Sequence, residues 1–342
     1  MRLAVILFNL GGPDRPESVR PFLANLFSDP AIISLPGILR WPLARLIARR
    51  RTPVAREIYA KMGGASPILP ETQAQAAALD MALDRRGIAA RSFIAMRYWK
   101  PLSATAAEDA KRWGPDRIVL LPLYPQFSTT TTASSLADWN RAADAAGLSM
   151  SASRICCYPW DKGFAGAVAR LLREALAKRN EGVAYRILFS AHGLPKRTVE
   201  RGDPYPWQIE RTVEAVMAAL GTPAPEHIVC YQSRVGPLEW IGPATDAEIH
   251  RAGADGRGVI VVPIAFVSEH SETLVELDIE YRHLAEASGV PDYVRVPAVG
   301  TAPEFIEGLA DLVEAAAKGD APVTCASGRI CPAAKRGCGY GG

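Results

Sequence analysis

The sequence runs to 342 residues, 49% of them hydrophobic and 22% charged, with a net charge of +3. That length suits two domains of about 150 residues better than one core, and the balance is that of a globular chain, not a disordered one. So small a charge, with no long Lys/Arg run, excludes nucleic acid as the expected partner, and no stretch reaches the run of about 18 apolar residues that a membrane span needs.

The chain opens on Met1-Arg2-Leu3-Ala4-Val5-Ile6-Leu7-Phe8, which leads straight into the tight turn Asn9-Leu10-Gly11-Gly12-Pro13 and offers no small-residue cleavage site. It reads as the first core strand of a cytoplasmic protein rather than a leader. Strands are expected at Leu3–Phe8, Ala90–Met96, Arg117–Leu123, Ser151–Cys157, Arg186–Ser190, His227–Gln232, Val259–Ile264 and Tyr293–Val296. Amphipathic stretches such as Glu71–Arg86 and Gly163–Lys178 lie between them. Near-continuous apolar strands separated by helices predict an α/β fold with parallel sheets covered on both faces.

The halves echo one another. Ile6-Leu7-Phe8-Asn9-Leu10-Gly11-Gly12-Pro13 is matched by Ile187-Leu188-Phe189-Ser190-Ala191-His192-Gly193-Leu194-Pro195, and Arg97 to Leu123 is matched by Arg234 to Ile264 in the same order. Duplicated domains follow from this pattern: 1–150, 151–318, and a cysteine-rich tail at 319–342. Ligands of such sheets bind beyond the carboxyl ends of the strands, and with twin domains the expected place is the cleft between them.

Three segments that follow strands carry the chemistry. Ser190-Ala191-His192-Gly193-Leu194-Pro195 puts a histidine at the end of a strand, before a glycine that permits a sharp turn. Phe266 to Tyr281 reads as a helix on which Glu272, Glu276 and Glu280, four apart, share one face, with His270 opening the row. Like charges at that spacing repel, so the row is either a solvated acidic face or a conduit for a hard divalent cation or protons. Tyr124 to Ser135, rich in hydroxyls, suits a ligand or merely the cap of the next helix. No dinucleotide fingerprint, phosphate loop or zincin motif appears.

Eight blocks in order resemble the ferrochelatases. They are Asn9 to Pro13, Lys61 to Ile68, Met96-Arg97-Tyr98, Tyr124 to Ser128, Ser190 to Pro195, Arg201 to Pro206, Gln232 to Pro243 and Ser268 to Tyr281. The resemblance spans nearly the whole chain. It implies two similar Rossmann-like domains and an enzyme that inserts ferrous iron into protoporphyrin IX. Coproporphyrin, or another divalent metal and tetrapyrrole, is the alternative, and a porphyrin or haem carrier is the non-enzyme one. By resemblance, His192 faces the porphyrin centre and Glu272 is its facing carboxylate. Metallation removes two N–H protons from nitrogens that point inward, so metal and base are expected from opposite faces. Neutral imidazole suits proton transfer near neutral pH, and hard carboxylate oxygens suit iron delivery. The reading adopted has His192 accepting protons, Glu272 at the metal entry and Glu276 and Glu280 as relay; all four are candidate metal ligands, and the opposite assignment of His192 and Glu272 stays open. Arg51, Tyr59, Ser66, Arg97, Tyr124 and Trp240 match family positions near the porphyrin. There aromatic rings pack on the macrocycle, an arginine reaches a propionate, and binding energy bends the ring toward insertion.

Residues 34–51, which resemble the family's active-site lip, mix large apolar side chains with five arginines. They suit peripheral contact with an anionic membrane, or a helix packed on the core. Cys325, Cys331 and Cys338 fall in the last eighteen residues, where a Gly-rich tail gives them little packing role. The resemblance implies a [2Fe–2S] cluster there, with Cys157 or Cys156 as fourth ligand and Cys157 favoured; a four-thiolate zinc site and unligated thiols are the alternatives. Animal-type members place the body cysteine after Tyr-Pro-Gln, where this chain has Thr129. Cys230, inside an apolar strand, reads as core. Monomer and homodimer both stay open.

Overall fold

The computed structural model describes the chain except for residues 151, 222–225, 235, 237, 327 and 342. Ser151, expected to open the fourth strand, lies outside the described residues, as do Val235 and Pro237 of the block before Trp240 and Ser327 of the tail. Two compact units are present. One comprises Met1–Cys157, Leu309–Ile330 and Gly339–Gly342; the other comprises Tyr158–Gly308 and Cys331–Cys338.

The first unit runs β1 (Leu3–Asn9), α1 (Val19–Phe27), α2 (Gly37–Ala60), α3 (Ile68–Arg85), β2 (Ala90–Met96), α4 (Ser103–Trp113), β3 (Arg117–Pro122), α5 (Thr132–Ala146) and β4 (Ala152–Cys157). These strands form a parallel sheet in the order β2-β1-β3-β4. Every residue of β1 is buried, which is why its sequence is a continuous apolar run and not an alternating one. Ala4, Ile6 and Phe8, two apart and so on one face, join Ala106, Ala107 and Ala110 of α4 and Trp139 of α5 in one cluster. Small alanines let α4 approach the sheet closely, and Trp139 fills the remaining space edge-on to Phe8, ring centroids 6.2 Å apart.

The second unit runs α6 (Lys162–Ala177), β5 (Tyr185–His192), α7 (Lys196–Glu200), α8 (Tyr205–Leu220), β6 (Glu226–Gln232), α9 (Thr245–Ala254), β7 (Gly258–Pro263), a π-helical segment (Glu272–Glu280), α10 (Tyr281–Ala287) and β8 (Tyr293–Arg295). Its parallel sheet has the order β6-β5-β7-β8, the same pattern as the first four strands of the other sheet. Asp161 starts α6 by accepting a hydrogen bond from Phe164 N at 2.9 Å. The chain continues as α11 (Pro303–Ala317) and β9 (Val323–Thr324), and β9 pairs in parallel with β4 at the edge of the first sheet.

The fold is the expected α/β class, with both sheets parallel. The expected domain limits differ from the units in three places, one being residues 309–318, expected in the second domain and grouped with the first unit. The strand expected to open the second domain pairs with β3 through Ile118↔Ala152 and belongs to the first sheet. The tail expected as one segment is divided, with Cys331–Cys338 grouped with the second unit. Gly337 N there donates to Gly202 O at 3.0 Å.

Candidate active site

β5 is buried from Tyr185 to Ala191 and emerges at His192, its last residue. It lies between β6 and β7, so the crossovers that leave its two sides part at its carboxyl end, where α/β sheets bind ligands. His192 is in register with Gln232 of β6. Gly193 follows, and a Cβ there would stand 2.9 Å from Gln232 O and 3.1 Å from Trp240 Cε3. The missing side chain lets Trp240 close over the turn, edge-on to His192 with ring centroids 6.5 Å apart.

Opposite this histidine the acidic segment differs from the expected helix. Phe266 to His270 is loop, and Glu272–Glu280 is π-helical. The Tyr281 N–H reaches back five residues to Glu276 O. Side chains take up carbonyls along the widened turns: Tyr293 Oη donates to Leu277 O at 2.7 Å, Arg282 Nε to Asp278 O at 3.1 Å and Gln232 Nε2 to Glu272 O at 3.4 Å. Such π segments are rare and concentrate at functional sites.

The segment sets Glu272 between two imidazoles. His192 Nδ1 lies 3.4 Å from Glu272 Oε2, and His270 Nε2 lies 3.9 Å from the same oxygen. The Nδ1 atoms of both histidines are buried without a hydrogen-bond partner among the described residues. Burial opposes a charge on His192, but the nearby Glu272 charge outweighs it and raises the imidazole pKa. At His270 burial wins and the pKa falls. Burial also opposes ionisation of Glu272, yet His192 and then His270 bring its carboxyl down to about 2. The site thus joins one carboxylate to an imidazole whose pKa is raised by that charge and to a second whose pKa is lowered by burial.

Glu276 is gripped from several sides. Its Oε1 accepts from Ser233 N at 2.9 Å and Tyr281 Oη at 3.2 Å, while Oε2 accepts from Gln232 Nε2 at 3.0 Å and from Ser233 Oγ. Burial, then the charge of Glu272, raises its pKa in spite of those donors. Glu276 also lines a cavity of about 570 Å³ with Ser233, Arg234, Trp240, Asp246 and Tyr281. Glu280, the last of the row, is exposed. The row therefore runs from a half-buried carboxylate to solvent.

His192 and Glu272 were expected on opposite faces of a ligand; here His192 Nδ1 stands 3.4 Å from Glu272 Oε2. His192, Glu272, Glu276 and Glu280 do not form a cage: among the described residues no three His, Cys, Asp or Glu side chains gather to hold a metal ion. Sequence reading gave His270 no role beyond opening the row. Its contact with Glu272 depends on the loop Phe266–His270, where Phe266 packs against the ring at 4.6 Å.

Five expected porphyrin contacts belong to the first unit. Arg97 is committed to an internal network, its Nη2 2.8 Å from Asp29 Oδ2 and its Nε donating to Ser134 Oγ at 2.7 Å. Tyr98 Oη donates to the same Asp29 at 2.8 Å. This network joins Arg97, just after β2, to Asp29, just after α1, and to Ser134 of α5. Tyr124 is buried, and its phenol pKa is raised by that burial, with Ser135 and Arg97 pulling it back. Tyr59 is buried with Val19, Phe22, Leu23 and Tyr98. Ser66 packs on Gly12, where a Cβ would fall 2.5 Å from Ser66 Cβ, and its Oγ accepts from Ile68 N at 3.4 Å. Arg51 is exposed, its guanidinium 6.0 Å from the Phe27 ring centre.

The expected cluster thiols are divided between the two units. Cys157 is buried beside Cys156, Phe127, Ile330 and Tyr340. Cys331 and Cys338 are buried in the other unit, where Gln208 Nε2 donates to Cys331 Sγ at 3.1 Å, and Cys325 is half-buried. Among the described residues no group of three or more His, Cys, Asp or Glu side chains is placed to hold a metal ion. Cys230 is core, as expected, wholly buried among Leu188, Ile249 and Val261.

The ferrochelatase family profile matches residues 2–317. Ferrochelatase of Phenylobacterium zucineum is 55% identical over 99% of this chain and 98% of its own length. That of Caulobacter vibrioides is 54% identical over 97% and 95%, and that of Pelagibacter ubique 47% over 92% and 91%. Among solved structures, SirB from Bacillus subtilis with Fe3+ aligns over 93% of this chain and 96% of its own at 15% identity and a TM-score of 0.53. The sirohydrochlorin chelatase SirB of subspecies spizizenii in complex with cobalt has the same coverage and TM-score at 14% identity. At those identities the likeness is one of fold. The chain belongs to the ferrochelatase family, and is a metal chelatase that inserts iron into porphyrin.

Proposed function

We propose that this chelatase metallates protoporphyrin IX with ferrous iron, and that His192, Glu272, Glu276 and Glu280 carry out the exchange. The observation behind this reading is Glu272, an ionised carboxylate between two imidazoles at the end of β5. The porphyrin gives up two pyrrolic protons and takes one dication. Neutral His192 accepts the pyrrolic protons one at a time at the face of the ring and releases each toward solvent before the next. Glu272 offers iron a hard oxygen ligand, and Glu276 and Glu280 lead outward to solvent. An incomplete ligand set suits a metal that must be handed on, because a closed cage would retain it. Trp240, edge-on to His192, supplies aromatic surface for the macrocycle, and Arg51, Tyr59, Ser66, Arg97 and Tyr124 keep the porphyrin-binding role that the family resemblance gives them.

The test is anaerobic ferrous insertion into protoporphyrin followed by absorbance, with coproporphyrin in parallel. Rapid conversion of protoporphyrin by the wild type and almost none by His192→Ala is the expected result. Preference for coproporphyrin would change the substrate, and full activity of His192→Ala would remove the histidine from the mechanism.

Peripheral membrane contact from the cytoplasmic side is part of the same proposal. Leu35, Ile38, Leu39 and Trp41 are exposed, Ile38 at 83%, beside Arg45, Arg49 and Arg50, while only Ala44, Ala48 and Thr52 turn inward on this part of α2. Such a face suits insertion among anionic headgroups. It also offers two copies of the chain a dimer contact. Flotation with anionic vesicles, against sedimentation of the chain alone, separates these. A [2Fe–2S] cluster on Cys157, Cys325, Cys331 and Cys338 is carried by the sequence of the tail alone. No step above uses it, and assay of acid-labile sulfide in the purified chain decides it.

A further inference from the structure

We infer that Ser233 is a positioning residue for iron delivery, holding the Glu276 carboxylate in the orientation in which it faces Glu272 and the cavity. The inference rests on the proposed role of Glu276 as the second station of the acidic row. Among the described residues Ser233 is the one non-glycine residue with a positive φ, 62°. That region puts an L-residue's Cβ too close to the following carbonyl, and it persists only where surrounding contacts impose it.

Here the contacts are two donors from one residue to one carboxylate. Ser233 N lies 2.9 Å from Glu276 Oε1, and Ser233 Oγ donates to Oε2. Both oxygens are thus gripped from the same side, which fixes the plane of the carboxylate as well as its position. The neighbouring residue is itself fixed: Gln232 Oε1 accepts from Ser190 Oγ at 2.8 Å, and Gln232 Nε2 donates to Glu276 Oε2. The end of β6 therefore serves as a clamp on the π-helical segment. Ser233 has no contact with Glu272, so it acts only through Glu276.

The test measures KM for ferrous iron and for porphyrin separately, under anaerobic conditions, in Ser233→Gly, Ser233→Ala, Glu276→Gln and the Ser233→Gly/Glu276→Gln double variant. Ser233→Gly keeps the backbone donor and accepts φ 62° without strain, so it removes the hydroxyl alone and safeguards against misfolding of Ser233→Ala. A hydrogen bond to a charged group predicts about a tenfold rise in KM for iron, with KM for porphyrin unchanged. The double variant should be no worse than Glu276→Gln, since the hydroxyl has nothing left to hold. An unaltered iron KM in Ser233→Gly beside an impaired Glu276→Gln overturns the role of Ser233 and leaves that of Glu276 standing. Equal rises in both KM values overturn it as well, because they mark a general loss of structure. A wild-type iron KM in Glu276→Gln removes the role of Glu276, and the inference with it.

Discussion

The contact between His192 and Glu272 can be measured as a coupling energy. Two unit charges 3.4 Å apart attract by about 5 kcal/mol at an effective dielectric constant of about 20. The side chains are 39% and 30% exposed, so water screens the pair, and the expected coupling falls to about 1–2 kcal/mol. The perturbations are His192→Ala, Glu272→Gln and the double variant, compared by urea denaturation; the cycle removes what each substitution does alone. Its pH dependence has a definite sign. Glu272, with its pKa brought down to about 2, stays ionised in the folded state throughout the working range. The folded pKa of His192 is raised, so its stabilisation is fully present below the unfolded value of about 6.5 and is lost as pH rises through the folded one. The coupling at about pH 5.5 should therefore exceed that at about pH 9. A coupling below about 0.3 kcal/mol at both pH values, or one that grows toward alkaline pH, would refute the ion-pair account of this site.

Three further outcomes are expected. Gly193→Ala forces a Cβ against Gln232 O and Trp240; it should cost about 1–3 kcal/mol in denaturation and slow metal insertion, and wild-type stability with wild-type rate would show that the close approach is not needed. Tyr293→Phe takes away the donor to Leu277 O and should cost about 1–3 kcal/mol, with faster amide exchange across Glu272–Glu280; unchanged exchange there would count against side-chain support of the π segment. Burial pushes the Cys230 thiol up to about 12, so iodoacetamide at about pH 8 should leave it unmodified in the folded chain and label it after unfolding, and mass spectrometry showing native-state labelling as fast as at Cys325 would contradict the burial.

The sheets were legible because strands covered on both faces leave continuous apolar runs, as in Leu3–Asn9 and Gly258–Pro263, each buried at every position. Histidine at the end of β5 was legible for the same reason: the apolar run stops at Ala191, and the next side chain is polar and half exposed. The network at Arg97 was not legible. Its position just after β2 marks the carboxyl edge of a sheet, but its pairing with buried Asp29 involves a residue 68 positions earlier in the chain, and nothing local reports that pairing. The same holds for β4. Its sequence says strand, while its place in the first sheet is set by pairing with β3 and β9, and β9 has only two residues, too few to leave a period.

The π-helical segment was legible as a helix and not as a π-helix, and the reason bears on function. Periodicity reports which side chains are apolar, and Val275 and Leu277 are buried here as a helix of either kind would bury them. The wider turn is favoured by donors that lie elsewhere in the chain: Gln232 from β6, Tyr293 from β8 and Arg282 from the following helix, each reaching a backbone carbonyl. Gln232 also grips the Glu276 carboxylate, and Tyr281, whose N–H reaches Glu276 O, donates its hydroxyl to that carboxylate. The backbone distortion and the orientation of the acidic row thus share their supports. A substitution that lets the segment relax toward an ordinary α-helix must also turn Glu276 against its donors, so helix geometry and carboxylate placement are expected to fail together.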